Sequence, residues 1–416
     1  MKLRYIILTL FILLFAGLTA NAEAPLRVGL YYGSTALDAV NVSSFEGLET
    51  SAAEDLGGYF IATVANGDIV LKNADGAEIY TVPWGGEVRA VARNGCVVIE
   101  GKQYRGNVIF IPRDGKITVI NELYTDDYVK GVIAKEMPSS WPNEALKAQA
   151  VAARCFAYSS LGKHSDYGFD VCATTNCQVY GGMDAETQST IRAVNETEGM
   201  VVCYNGKIIS TLFSSSNGGY MEDARNVWSG SYPYFKTIKD EFEKTEEITS
   251  ANWTVEFTPE EIRDKLAASN IYIGEVTGME VTKTSESGRV LEVVVYGTAG
   301  QRNFTKNAAR TFLGLKSQLY TITPPSMGRV YCIGAGGQAT LDGIYFVITE
   351  KGIERRSASN LMAKEGKYVI SGRGYGHGVG MSQWGAYYMS QAGYGYQDIL
   401  MYYYRDTHVV NYADVR

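Results

Sequence analysis

The sequence lacks the features by which several large functional classes announce themselves. It has no basic excess: 38 Lys and Arg stand against 45 Asp and Glu, a formal net charge of −7, which argues against an electrostatic grip on nucleic acid. Histidine is scarce, with three in 416 residues, so little is available for a histidine-built metal cage. There is no GxSxG elbow and no legible Ser/His/Asp order, which removes the serine hydrolases. The glycine-rich run near the C-terminus fails the GxGxxG spacing in every register, so it is not a dinucleotide fingerprint. No internal repeat or low-complexity tract is present, and no second long apolar run follows the N-terminal one.

What is present reads as a folded, exported protein. With 46% hydrophobic and 20% charged residues the chain is globular, and its length allows roughly two to three domains. Lys2 and Arg4 precede the apolar run YIILTLFILLFAGLTA, and Ala20-Asn21-Ala22 supplies a small-x-small cleavage site. Residues 1–22 are therefore expected to be a signal peptide, with an uncleaved anchor as the lesser reading. No membrane span is expected after cleavage. Six cysteines occur, and Cys172 and Cys177 alone are close in sequence. In an oxidising compartment they can form a local disulfide or remain thiols. With His164 they would make three ligands of a zinc site whose fourth ligand is missing, so zinc is not favoured and no cofactor is required.

The expected fold class is α+β: hairpin-rich β structure with a few packed helices and a catalytic cleft between subregions. Residues 23–130 read as β-rich, with apolar runs at 59–64, 67–71, 96–100 and 108–111 separated by Asn-Gly, Asp-Gly and similar turns. Residues 131–240 form the expected catalytic core, opening with the first strong helix at 143–161. There Leu146, Ala150, Ala153 and Ala157 should face the interior, while Lys147, Val151, Arg154 and Tyr158 occupy another face, solvated or turned to a ligand. Residues 184–199 suggest a second helix, and 200–213 a hairpin through Asn205-Gly206. An inserted α+β subregion covers 241–325, with a helix starting at Thr258-Pro259-Glu260-Glu261 and a hairpin of 276–283 with 290–296. Residues 326–416 complete the domain with closing helices at 381–392 and 396–404.

Three stretches carry chemistry. In VIAKEMPSSWPNEALKAQAVAARCFAY, residues 132–158, Glu136 lies in a Pro-bounded turn ahead of a helix, where a carboxyl can be held rigid and partly dry for acid catalysis. The plain alternative is a surface Glu near a helix start, favoured by the macrodipole and paired with Lys135 or Lys147. In GRGYGHGVGMSQWGA, residues 372–386, glycine takes every second position from 372 to 380. If extended, this puts all five glycines on one face, open to a ligand or packed under a helix, with His377 on the other. The polar loop SSSNGG, residues 214–219, offers hydroxyl and backbone donors for a sugar, or is an ordinary turn. The 30 tyrosines, mostly core or strand residues, include flat faces suited to stacking on sugar rings.

These stretches, with CATTNCQVYGG, LFSSSNGGYMEDARNVW and DILMYYYRDT, resemble the stage II sporulation protein D (SpoIID)/LytB amidase-enhancer family over most of the chain from about residue 25. The resemblance implies a peptidoglycan lytic transglycosylase that cuts denuded glycan strands, with Glu136 as the catalytic acid. It implies Arg154, Ser215, His377 and Gln383 as supporting, substrate-binding residues. It also implies an alternative, a non-catalytic wall-binding enhancer whose partner is a cell-wall amidase. The implied location is extracytoplasmic: cell wall, periplasm or the spore intermembrane space. A zinc hydrolase built on His164, Cys172 and Cys177 is the third reading. The chain departs from many relatives in having Cys155-Phe156 for Thr-Tyr, Asn176 for a His before the second cysteine, and a cleavable-looking N-terminus.

Overall fold

The computed structural model describes residues 24–415 apart from 51–54, 84, 326–329, 335–336, 342–343, 350–351 and 358–365; between 326 and 365 it describes backbone alone. The signal-peptide expectation for residues 1–22 falls outside the described residues. The chain is α+β and divides into two compact units, one of Met1–Ser139 with Ala157–Glu198 and one of Ser140–Phe156 with Gly199–Arg416.

The first unit is built on one eleven-stranded sheet. From Val171–Cys172 it runs through Leu26–Tyr31, Lys116–Leu123, Asn107–Arg113, Val88–Ala92, Ala39–Thr50, Asp55–Ala65, Asp68–Lys72 and Glu78–Val82. The hairpin of Cys96–Ile99 with Lys102–Arg105 branches from Ala39–Thr50. All pairings but the first are antiparallel. The tight turns follow from composition: Asn66-Gly67 and Asp114-Gly115 have φ of 53° and 90°, and 52° and 76°, the double left-handed geometry of a two-residue hairpin. Central Lys116–Leu123 is buried at every position after Lys116, with polar Thr118, Asn121 and Glu122 enclosed along with its apolar residues.

A helix that the sequence did not advertise follows this strand directly. Thr125–Glu136 (α1) opens with Asp126 and Asp127 in its first turn, where they meet the positive end of the dipole. Its centre holds Gly131, a weak helix former, because a Cβ there would lie 2.6 Å from the Tyr180 ring and 2.9 Å from the Gly182 carbonyl. Tertiary packing thus overrides local propensity. In the same unit Gln188–Asn195 (the first unit's second complete helix) starts on Thr187, whose hydroxyl accepts from the Thr190 N–H.

Helix Asn143–Ser159 (α2) buries the expected Leu146, Ala150, Ala153 and Ala157. It also buries Val151 and Arg154, so the expected solvated face is absent at these two positions. With α2 defined, the remaining helices among the described residues are Gln188–Asn195 (α3), Pro259–Ala268 (α4), Ala308–Thr311 (α5), Gln383–Gln391 (α6) and Tyr396–Tyr403 (α7).

In the second unit Met200–Tyr204 pairs with Lys207–Ile208 through Asn205-Gly206 and with His408–Asn411. Short parallel strands Phe213–Ser214 and Met381–Ser382 tie two distant segments together. Val276–Thr284, Val290–Gly297 and Gly300–Thr305 form a three-stranded sheet. A second such sheet places Tyr368–Arg373 between Asn252–Phe257 and Leu319–Thr323. Ile262 and Leu266 of α4 pack with Val293, Val295, Tyr368 and Ile370 in one apolar cluster. The start of α4 is the expected capping box, with Pro259 first and Thr258 accepting from the Glu261 N–H at 3.1 Å.

Candidate functional site

Glu136 is the last residue of α1, not a residue entering a helix. The reading that a helix start stabilises it is therefore reversed: α1 presents its negative end to this carboxyl. The side chain is half-buried, and the backbone after it is pinned. The Met137 N–H donates to the Ile133 carbonyl at 2.8 Å, and the Ser189 hydroxyl donates to the Ser139 carbonyl at 2.7 Å. Buried Met137, Ile133 and Val132 fix the last turn beneath it.

In the second unit the SSSNGG and glycine-rich stretches meet as one loop cluster. Ser216 and Tyr375 exchange backbone hydrogen bonds of 3.1 and 2.9 Å, and the Gly378 N–H donates to the Ser214 hydroxyl at 3.3 Å. The Trp384 N–H donates to the Ser215 carbonyl at 3.1 Å. Gln383, at the start of α6, donates to Gln149 of α2 at 3.4 Å. Ser215, His377 and Gln383 are thereby gathered on one scaffold. Ser215 and His377 are half-buried, while Gln383 is almost fully enclosed.

The alternating glycines are not an extended face. Gly374, Gly376, Gly378 and Gly380 have φ of 84°, 114°, 73° and 73°, left-handed backbone that glycine alone adopts readily. Of the two alternatives, open to a ligand or closely packed, the contacts favour packing: a Cβ on Gly378 would fall 2.1 Å from Arg289 Nη2, and one on Gly380 would fall 2.0 Å from the Leu212 carbonyl oxygen. The glycines let chain segments touch.

Behind the loops lies a buried charged network that sequence reasoning missed. Glu243 accepts from the Ser216 and Ser382 hydroxyls and from the Asn217 and Gly218 N–H groups, the last two at 2.9 and 3.0 Å. Burial pushes its carboxyl above the ordinary range, despite these donors. Asp240 accepts from Asn217 Nδ2 at 2.6 Å and from the Tyr403 hydroxyl at 2.7 Å. Glu222 is also buried; desolvation opposes its charge, but the hydroxyls of Ser285, Ser287 and Thr237 and the Asn226 amide hold it below the ordinary range. Arg289 donates to the carbonyls of Asn217 and Tyr220. Burial lowers this guanidinium to about 10, which leaves it charged at neutral pH.

His377 stands over the edge of Trp228, ring centroids 4.9 Å apart, and its Nδ1 accepts from the Val379 N–H at 3.0 Å. Burial, then the charges of Arg310 and Arg289, push its pKa down to about 3. The ring is neutral at working pH and serves as a fixed dipole rather than a charge.

The description "Stage II sporulation protein" matches residues 113–204, the stretch holding Glu136 and α2, and a domain of unknown function, DUF8618, matches 234–337. An uncharacterized protein of Brachyspira hyodysenteriae is 32% identical over 320 residues, 76% of this chain and 75% of that protein. The amidase enhancer of Bacillus subtilis is 32% identical over 405 residues, 88% of this chain but 52% of the enhancer, so the chain spans about half of that relative. Stage II sporulation protein D of Bacillus subtilis is 28% identical over 308 residues, 70% of this chain and 75% of that protein. The chain belongs to the SpoIID/LytB family.

Against the family motif, Arg154 occupies an unexpected place. It has no exposed surface and donates to the Met200 carbonyl at 2.9 Å, so it supports the backbone of the Met200–Tyr204 strand from inside the unit. The three-ligand group of the SpoIID/LytB CATTNC stretch is assembled in the first unit: the donor atoms of His164, Cys172 and Cys177 lie within 4.8 Å of one another. His164 Nε2 is 3.4 Å from the Cys177 sulfur. Cys172 and Cys177 are free thiols, so the local disulfide is absent. The set supplies three of the four ligands a structural zinc takes. Among the described residues no fourth His, Cys, Asp or Glu joins the group.

Proposed function

We propose that this SpoIID/LytB protein is a peptidoglycan lytic transglycosylase, exported by its N-terminal segment and acting in the cell-wall space on denuded glycan strands. The observation that carries the reading is Glu136, a half-buried carboxyl at the end of α1 inside the stretch that matches the sporulation family.

A single carboxyl is enough for this chemistry. The protonated Glu136 donates to the glycosidic oxygen between muramic acid and N-acetylglucosamine. The C1–O4 bond breaks, its electron pair staying on the departing oxygen. The muramic acid C6 hydroxyl attacks C1 and gives its proton back to the Glu136 carboxylate, which closes the 1,6-anhydro ring and restores the acid. No water is consumed, so the second carboxylate of an ordinary glycosidase is not needed. The reaction starts from the neutral acid. Ser215, His377 and Gln383 are the proposed sugar-binding residues, with Arg154 supporting them from the interior.

Digestion of stripped glycan followed by mass spectrometry tests the reading. Anhydro-ended fragments are expected from the native protein and none from Glu136→Gln; products ending in a reducing sugar, or an active Glu136→Gln protein, would remove it.

The similarity to an amidase enhancer favours a second reading, in which the same residues hold glycan without cutting it while a separate cell-wall amidase acts. Glycan binding with no product of either kind, together with stimulation of a purified amidase, is the result that selects it.

A further inference from the structure

Helix α6 has two unlike faces. Gly385, Ala386 and Met389 are buried, and Gly385 packs so closely on α7 that a Cβ there would lie 1.7 Å from the Tyr403 hydroxyl. Trp384, Tyr387 and Tyr388, spaced i, i+3 and i+4, take the other face. Trp141 joins them from the segment ahead of α2. Its ring centroid lies 4.7 Å from Trp384 and 5.0 Å from Tyr387, and Trp384 lies 6.0 Å from Tyr388. All four rings are half-buried. Tyr403 and Tyr404 close by are fully enclosed, so this unit can bury tyrosine where packing calls for it.

We propose that Trp141, Trp384, Tyr387 and Tyr388 form a saccharide-stacking platform that holds N-acetylated pyranose rings of a glycan strand, with Lys244 at its rim taking the lactyl carboxylate of muramic acid. The assignment rests on the glycan reading above and gives it a binding subsite. The apolar face of a pyranose carries C–H bonds with slight positive charge, which meet the negative faces of aromatic rings. Neighbouring rings are tilted, at 55° for Trp141 against both Trp384 and Tyr387, so they present faces in several directions rather than one flat stack. The rim has hydrogen-bonding groups of both kinds. Lys244 Nζ lies 5.3 Å from the Tyr388 ring centre, and exposed Glu247 lies 3.4 Å from the Tyr388 hydroxyl and 3.5 Å from Lys244. A lysine beside the rings complements an anionic sugar. The platform is also stiff: the Ser382 hydroxyl caps α6 at 3.1 Å to the Gly385 N–H while donating to buried Glu243, and the Trp384 N–H is held by Ser215. Little order has to be gained on binding.

The test uses the whole chain and two probes. Chitotetraose, which lacks muramic acid, is titrated by calorimetry into native protein, and denuded glycan into Glu136→Gln protein. Tyr387→Leu and Tyr388→Leu keep apolar volume but remove a flat face, and each is expected to weaken both probes about 3- to 10-fold. Lys244→Gln is expected to weaken denuded glycan but not chitotetraose. The indole N–H resonances of Trp141 and Trp384 should shift on adding either probe, a readout that survives if a tyrosine variant melts early. Unchanged affinities with unmoved indole signals overturn the platform while leaving the glycan reading standing. Absence of binding of either probe to the unsubstituted platform overturns both. Loss of amidase binding with saccharide affinity intact overturns the platform in favour of a protein-docking surface.

Discussion

Arg289 Nε lies 3.9 Å from Glu222 Oε2, and neither side chain has any exposed surface. Arg289 sits just beyond the turn between Val276–Thr284 and Val290–Gly297, and from there reaches the carbonyls of Asn217 and Tyr220 and packs under Gly378. The hairpin belongs to the segment matched by the domain of unknown function, while the loops it supports carry Ser215 and His377. Removing one partner of a buried ion pair leaves the other uncompensated. Arg289→Met is therefore expected to lose about 3–5 kcal/mol in urea unfolding. Pairing it with Glu222→Gln should recover part of that loss.

His377 gives the protein an acid-sensitive element. Its folded pKa of about 3 lies below the ordinary histidine value of 6.5, so below pH 6.5 the unfolded chain binds more protons than the folded one. The stability it contributes is complete above pH 6.5 and is lost as pH falls toward 3. Glu222, held below its ordinary range, acts in the same direction at the acid end. Unfolding midpoints measured at pH 7, 5.5 and 4 should fall more steeply for the native protein than for His377→Asn.

Glycine replacement separates two kinds of constraint. Gly131→Ala in a helix interior would ordinarily add about 1 kcal/mol. Here the new Cβ would meet Tyr180 and the Gly182 carbonyl inside 3 Å, so thermal melting is expected to show a loss. Gly378→Ala combines a φ of 73° with contact on Arg289 and should be the more damaging of the two.

Thr258→Ala supplies a control. It removes the cap of α4 and should cost about 1 kcal/mol while leaving saccharide titrations unchanged. A change in saccharide affinity would mean that α4 is coupled to the platform.

The local rules carried far into this chain where a turn or cap stands alone. Asn66-Gly67, Asn205-Gly206 and the Thr258 capping box each formed the element their residues call for. The α+β class followed from the same hairpins and helices. Helix α1 was illegible because Gly131 and the β-branched Val129, Val132 and Ile133 lower its propensity, and the contact that rewards Gly131 comes from Tyr180, far along the chain. The glycine-rich stretch was legible as a motif but not in conformation, since alternation alone does not distinguish a strand from a string of left-handed turns.

Of the candidate site residues, Ser215, His377 and Gln383 share one scaffold, which their separate motifs do not reveal. Arg154 lies inside because its guanidinium finds the Met200 carbonyl, a partner on another element. Glu243 was hidden for a different reason. In the run KDEFEKTEE, residues 239–247, every charge looks solvated, and no periodicity marks the one that Ser216, Ser382 and the Asn217 and Gly218 amides will enclose.

The parallel pairing of Phe213–Ser214 with Met381–Ser382, and the antiparallel pairing of Met200–Tyr204 with His408–Asn411, have a consequence for when the site can form. Closing such distant ends is slow, because the entropy of the intervening loop is spent before any contact repays it. During synthesis the Ser215 loop therefore cannot settle before Met381–Ser382 has been made. A chain cut short of Met381 would lack the partner strand of Phe213–Ser214 and leave the Ser215 loop unheld.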